Sequence, residues 1–132
     1  MESGVSNMVK INKYMSEHME QVHLFAWIKK QALKYQPMEL IFAIPNGGVR
    51  SKITGARMKA EGVKAGVPDI FVPIPARNYH GAFLELKSTS TDARLSKKQA
   101  EIIPQLTNQG YCTSVCHGHE KAIEFLSWYL NI

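Results

Sequence analysis

The spacing of apolar and polar residues predicts helices and strands in the order helix, strand, helix, strand, strand, helix, strand, helix. Helices are predicted from a cap at Ser16 to about Lys34, over Ser51–Gly62, from a cap at Ser96 to about Thr107, and over His119–Tyr129. Strands are predicted over Glu39–Ile44, Asp69–Ile74, His80–Lys87 and Tyr111–Cys116, with turns at Pro45–Gly48 and Pro75–Asn78. This order predicts an α/β domain whose central mixed sheet is flanked by helices on both faces.

The length and composition are those of one soluble globular domain. The chain has 132 residues, of which 45% are hydrophobic and 20% charged. Residues 1–15 show no clean period and are predicted to form an N-terminal arm, which leaves 16–132 as the folded domain. No apolar run reaches the ~20 residues of a membrane helix, and no secretory pattern opens the chain. We therefore expect no membrane partner and a cytoplasmic location, where Cys112 and Cys116 stay thiols.

The charge balance favours a polyanionic partner. Lys and Arg total 16 against 11 Asp and Glu, a formal net charge of +5, and the sequence pI is near 9.3. Such an excess promotes association with nucleic acid without establishing it, because many basic proteins bind none.

Charged residues inside two predicted strands carry the candidate chemistry. On His80–Lys87, Glu85 and Lys87 share one strand face about 7 Å apart, and Asp69 begins the neighbouring strand. Carboxylates with an adjacent ammonium could hold a divalent cation and activate a water. Asp69 could equally cap a turn, with Glu85 and Lys87 as an ion pair on a solvated face. The residue types alone leave both interpretations open.

The order of these residues resembles a known nuclease motif. Pro68-Asp69 followed by Glu85-Leu86-Lys87 looks like the PD-(D/E)xK motif of the restriction-endonuclease-like core. The segments EHMEQ, IPNGGVR, GARMKAEGVKAGVPD, FLELK and LSKKQ, in this order, resemble the stand-alone VRR-NUC nucleases of phages and bacteria. This resemblance extends from Ser16 to nearly the end of the chain.

The resemblance implies a Mg²⁺- or Mn²⁺-dependent phosphodiesterase without an organic cofactor. Asp69 and Glu85, with the backbone carbonyl of Leu86, would bind the ion, and Lys87 would serve the attacking water. The family's helical Glu matches Glu20, a further ligand, and its Gln matches Gln99. Glu20 shares a predicted helix face with apolar residues that would pack on the sheet. Glu17, one turn earlier, is the alternative ligand.

The same resemblance implies DNA as substrate. Members of the family resemble Holliday-junction resolvases, so we expect a homodimer that cuts branched DNA. The alternatives are a non-catalytic DNA-binding module with the same fold and a monomeric flap or nicking nuclease. Backbone amides and cations around the site would contact phosphates. The expected DNA-binding residues are Asn46, Gly47, Gly48, Arg50, Lys52, Arg57, Lys64, Lys97 and Lys98.

A zinc site at CTSVCHGH is the weaker interpretation of that segment. Cys112 and Cys116 lie on one predicted strand, about 13 Å apart, whereas zinc thiolates each approach within about 2.3 Å of the ion. We therefore predict that both cysteines are buried as small apolar residues.

Overall fold

The computed structural model describes residues 14–45, 52–90 and 92–132, with the side chains of 52 and 53 left out. In chain order the elements are α1 (Glu17–Ala32), a 3-10 helix (Gln36–Leu40), β1 (Phe42–Ala43), α2 (Lys52–Ala60), β2 (Ile70–Val72), β3 (Ala82–Lys87), α3 (Lys97–Asn108), β4 (Cys112–His117) and α4 (His119–Leu130). Within these residues, no helix has the length and apolar character needed to span a membrane.

The strands form one mixed sheet in the order β1-β2-β3-β4. β1 pairs antiparallel with β2, and β2 pairs antiparallel with β3 across the segment that contains the predicted turn at Pro75–Asn78. β3 and β4 run parallel, with Glu85 opposite Val115. The predicted α/β fold with a central mixed sheet is confirmed.

Local sequence signals account for the helix starts. The Ser16 hydroxyl accepts a hydrogen bond from the Met19 amide, and Glu17 and Glu20 occupy the first turn of α1, where acidic groups favour the helix dipole. Ser96 caps α3 in the same way through the Gln99 amide. Both predicted helices are confirmed, although α1 ends at Ala32, two residues before the expected Lys34.

The predicted strand over Glu39–Ile44 is largely wrong. Only Phe42–Ala43 pairs in the sheet, and the residues before it form the 3-10 helix. Pro37 lies in the first turn of that helix, and the amides of Met38 and Ile41 donate to carbonyls three residues earlier. Met38 is fully buried in the core, and its burial favours a 3-10 turn here over an extended strand.

The two faces of the sheet have different functions in the fold. Leu84 and Leu86 point to one face and join the main core with residues of α1 and α4, including Leu24 and Leu126. Phe83, Glu85 and Lys87 alternate with them and therefore point to the other face. α3 covers that face, because Gln99 bonds to Glu85 and Thr107 bonds to Thr113. The polar site thus lies on the face opposite the main core.

Gly66 fixes the approach of the segment before Asp69 to helix α3. It has a φ of +90°, and a Cβ built there would lie 2.6 Å from the carbonyl carbon of Lys98. Gly62 has a similar φ of +97° but open space around it. A side chain at Gly66 would therefore meet both backbone strain and a collision with backbone atoms.

We expect Gly66→Ala to lower the free energy of unfolding by more than 2 kcal/mol, whereas Gly62→Ala, which meets only the unfavourable φ, should cost about 1 kcal/mol. Urea unfolding of both variants measures the difference. Equal losses would show that the contact with Lys98 is unimportant for stability.

Candidate active site

Asp69 and Glu85 come together where the β2–β3 ladder ends. Ile70 pairs with Leu84, and the same antiparallel register brings Asp69 opposite Glu85. The Leu86 amide donates to Asp69 Oδ2 at 2.9 Å, so the Asp69 side chain takes the place of a ladder partner. The Ile44 amide donates to the Asp69 carbonyl at 2.6 Å and ties this residue to the strand on its other side.

Glu85 is a carboxylate almost wholly removed from water, with 1% of its surface exposed. Its Oε2 accepts a hydrogen bond from Gln99 Nε2 at 2.7 Å and lies 3.4 Å from Lys87 Nζ. Its Oε1 is buried and has no hydrogen-bond partner among the described residues. A buried carboxylate oxygen without a donor is costly, so either a proton or a cation at this atom would stabilise the site.

The surroundings of Glu85 favour its protonated form. Its pKa is raised to about 7, first by burial and then by the negative charge of Asp69, while Lys87 acts in the lowering direction. A proton on Glu85 would relieve the repulsion between the two carboxylates. A divalent cation between them would do the same with the carboxylates ionised.

The Leu86 carbonyl faces the same side of β3 as Asp69. The carbonyls of Gly81 and Lys87 accept hydrogen bonds from Cys112 and Gly118, which shows that odd-numbered residues of β3 face β4. Backbone groups alternate in direction along a strand, so the Leu86 amide and carbonyl face β2. The amide donates to Asp69 there, and the carbonyl lies beyond the last ladder pair, Ile70 with Leu84.

Gln99 connects the start of α3 to Glu85. Its Oε1 accepts a hydrogen bond from the Ser96 amide at 2.9 Å, which completes the capping box, and its Nε2 donates to Glu85. The amide is thus held in one orientation at both ends. Gln99 reaches the site as a donor that positions Glu85.

The donor set fits a hard divalent cation. Two carboxylates and one carbonyl are the oxygen ligands that Mg²⁺ and Mn²⁺ prefer, and Mg²⁺ commonly keeps several waters or substrate oxygens as its other ligands. Within 14–45, 52–90 and 92–132, no three His, Cys, Asp or Glu residues form a group that could hold a metal. Few ligands of such a cation would come from these residues, and water and phosphate oxygens would supply the other ligands.

Glu20 contacts the start of α4, next to Gly118, whose amide donates to the Lys87 carbonyl. It is 3% exposed, and its Oε1 accepts hydrogen bonds from the His119 amide at 3.0 Å and from His119 Nδ1 at 2.6 Å. His23 stacks on the His119 ring. The sequence indicated His119 only as part of the zinc interpretation of CTSVCHGH and not as a partner of Glu20, since 99 residues separate the two. Glu17, the alternative ligand, is exposed.

The predicted DNA-binding residues fall into two groups. Arg57, Lys64, Lys97 and Lys98 are exposed, and Lys64 and Lys98 line one groove between α2 and α3. The close packing of Gly66 on Lys98 brings these two lysines to the same surface. Lys52 begins α2, and Asn46, Gly47, Gly48 and Arg50 lie outside the described residues.

Cys112 and Cys116 are both buried and free, as predicted. Burial raises the pKa of each thiol, which keeps them protonated.

The comparisons with known proteins agree with this fold. The VRR-NUC domain model matches residues 8–120. A solved structure named VRR_NUC domain protein is 29% identical to this chain, with a TM-score of 0.78, and the match covers 90% of this chain and 91% of that one. No curated protein matches. A VRR-NUC domain is a nuclease-type, DNA-processing fold, and the chain belongs to the VRR-NUC domain family.

Proposed function

We propose that the protein is a metal-dependent DNA endonuclease whose active site is built on Asp69, Glu85 and Lys87. The observation that carries the proposal is the unpartnered, buried Oε1 of Glu85 beside a second carboxylate. The ion pair with Lys87 uses only Oε2 of Glu85, and Mg²⁺ or Mn²⁺ between the two carboxylates would give Oε1 a partner.

Asp69, Glu85 and the Leu86 carbonyl would hold the cation. When bound, the ion would supply positive charge at the scissile phosphate and would lower the pKa of a coordinated water. The Lys87 side chain is 12% exposed, and its ammonium, next to Glu85, would orient the attacking water and stabilise the developing phosphate charge. Glu20, contributed by α1, remains the proposed further ligand of the cation, and His119 is its hydrogen-bond donor.

Exposed cations would bind the DNA backbone beside this site. Lys64, Lys97 and Lys98 surround the start of α3, whose residue Gln99 contacts Glu85. Phosphate contacts of this kind position the strand without reading its sequence. Together with Arg57, Lys52 and the Asn46–Arg50 segment, they are the proposed DNA-binding residues, and the net charge of +5 suits this partner.

The family likeness extends the proposal to branched DNA cut by a homodimer in a bacterial or phage-infected cytoplasm. The second candidate is a DNA-binding module without catalysis. Buried Glu85 and half-buried Asp69 favour the first, because carboxylates beside phosphates repel them unless a cation lies between.

Cleavage of a panel of labelled DNAs tests the proposal. We expect nicking of four-way junctions with Mg²⁺ or Mn²⁺, weaker cleavage of flaps and linear duplex, and none in EDTA. Binding that falls with salt but never leads to cleavage would support the non-catalytic module instead. Equal cleavage of all DNAs would remove the preference for branched substrates.

Gln99 offers a separate test of how Glu85 is positioned. We expect Gln99→Ala to reduce the cleavage rate by 10- to 100-fold, because Glu85 loses the donor that orients it. Single-turnover cleavage with saturating Mn²⁺ gives the rate.

Ser96→Ala is the matched control. It removes the capping hydroxyl and costs about 1 kcal/mol of stability, but leaves the amide of Gln99 on Glu85. Its cleavage rate should stay near wild type. If both variants lose the same activity, Gln99 acts only through the helix start.

A further inference from the structure

Helix α4 begins without a capping side chain of its own. Its N-cap residue is Gly118, which has a φ of +94° and no side chain to accept the unpaired amides of the first turn. Glu20 of α1 takes this place, because its Oε1 accepts a hydrogen bond from the His119 amide at 3.0 Å. One acceptor of this kind is sufficient for a cap.

A second hydrogen bond to the same oxygen goes beyond capping. His119 Nδ1 lies 2.6 Å from Glu20 Oε1, and Nδ1 must carry the hydrogen when Glu20 is ionised, since a carboxylate only accepts. The His23 ring stacks on the His119 ring, with centroids 5.1 Å apart, and supports its face. A carboxylate oxygen has about two lone-pair positions, so His119 occupies both positions on Oε1.

The other oxygen, Oε2, borders the C-terminal end of β3. A Cβ built on Gly118 would lie 3.4 Å from Glu20 Oε2, and the Gly118 amide donates to the Lys87 carbonyl at 2.8 Å. Glu20 therefore approaches the end of β3 from the β4 side. Asp69, which accepts from the Leu86 amide, approaches the same end from the β2 side.

The space beside Glu20 can hold a hydrated cation. Glu20, Thr89, Gly118 and His119 line a cavity of about 390 Å³. A water takes roughly 30 Å³ in the liquid, so the waters that Mg²⁺ or Mn²⁺ keeps would fit there. Glu20 is thus buried against protein on one side and borders open volume on the other.

We propose that His119 is a positioning residue of the active site, which occupies Oε1 of Glu20 and so makes Glu20 a one-oxygen ligand that presents Oε2 to the cation. This inference rests on the proposed metal-dependent nuclease and deepens it. A carboxylate that is already oriented by hydrogen bonds pays less to bind the ion. The alternative, a cap for α4 alone, needs only the His119 amide and gives the imidazole no part in metal binding.

Calorimetric titration of Mn²⁺ into the metal-free protein, without DNA, tests the positioning role. His119→Leu keeps the backbone amide and much of the bulk but removes the imidazole donor, and it should weaken Mn²⁺ binding by 10- to 100-fold. His119→Asn, whose side-chain amide can donate from nearly the place of Nδ1, should restore most of the affinity. His18→Leu, at an exposed position of α1, is the matched control and should bind Mn²⁺ like wild type.

A double variant shows whether His119 acts through Glu20. Glu20→Ala removes the proposed ligand, so the addition of His119→Leu to it should weaken Mn²⁺ binding no further. Cooperative urea unfolding in EDTA establishes that each variant is folded before it is titrated.

Equal Mn²⁺ affinity in wild type and His119→Leu would overturn the inference and leave Glu20 as a cap. So would a further loss in the double variant, or a His119→Asn protein that binds no more tightly than His119→Leu. A wild-type protein that binds no Mn²⁺ would refute the metal-dependent nuclease and the positioning role with it. Mn²⁺ binding that responds to His119→Leu but is not followed by DNA cleavage would refute the nuclease and leave the positioning role intact.

Discussion

Lys87→Ala is expected to reduce DNA cleavage at pH 7 by at least about 10³-fold while DNA affinity changes by less than about threefold. The ammonium lies 3.4 Å from Glu85 Oε2 and is the only Lys or Arg paired with an acid of the proposed site in the described segments. Losing a group that orients water and stabilises transition-state charge typically costs two to four orders of magnitude, roughly 3–5 kcal/mol. DNA affinity is shared among many cations and should survive.

The pH dependence of this variant gives the prediction a second readout. Lys87 acts to lower the pKa of Glu85, so its removal should raise that pKa and weaken cation binding near pH 7. Part of the lost metal affinity should therefore return as the pH is raised. Single-turnover rates and fluorescence anisotropy in Ca²⁺ measure cleavage and binding separately.

Lys30→Ala, in the last turn of α1, removes the same charge from an exposed position and should cut normally. Cleavage by Lys87→Ala at the wild-type rate would show that the reaction does not use this site.

Glu85→Gln is expected to abolish cleavage and yet stabilise the metal-free fold at pH 8. The folded pKa of Glu85 is raised to about 7, above the roughly 4.3 of an unfolded Glu. The folded state therefore binds this proton more tightly than the unfolded state does. The stabilisation of the fold by protonated Glu85 is fully present below about pH 4 and is lost as the pH rises through 7. The loss amounts to about 4 kcal/mol, and a neutral amide avoids it.

Urea unfolding in EDTA from pH 4 to 8 measures this effect. The difference between wild type and Glu85→Gln isolates one group, since the two sequences differ only at this position. Mn²⁺ should stabilise wild type at pH 8 and leave Glu85→Gln unchanged, because only the carboxylate gains a partner. Glu101→Gln, exposed on α3, is the control. A difference that stays constant with pH would mean that Glu85 is not strained by burial and Asp69.

The sequence was sufficient to predict most elements and the central pair. Ser16 and Ser96 cap the predicted helices, and the alternation along Ala82–Lys87 separates Glu85 from Leu84 and Leu86. Asp69 and Glu85 meet because Ile70 pairs with Leu84, and a slip of this register by one residue would turn the apolar side chains of one strand out of the core. Local patterns of this kind are readable from a single chain.

Contacts between distant segments were not predictable in the same way. The His119 bonds to Glu20 depend on how α1 and α4 pack, and no pattern near either residue indicates them. The 3-10 helix replaces a predicted strand because burial of Met38 outweighs the strand propensity of Leu40–Phe42. The capping role of Gln99 was visible in SKKQ, but its second bond to Glu85 is tertiary.

Titration of Mn²⁺ into the metal-free protein, with binding followed by calorimetry and nicking of a four-way junction measured at each concentration, tests the metal-dependent site most directly. We expect binding and nicking to rise together in wild type and both to be absent in Glu85→Gln. Mn²⁺ should bind wild type more tightly as the pH passes 7. Nicking in EDTA, or by Glu85→Gln at the wild-type rate, would contradict the metal-dependent site.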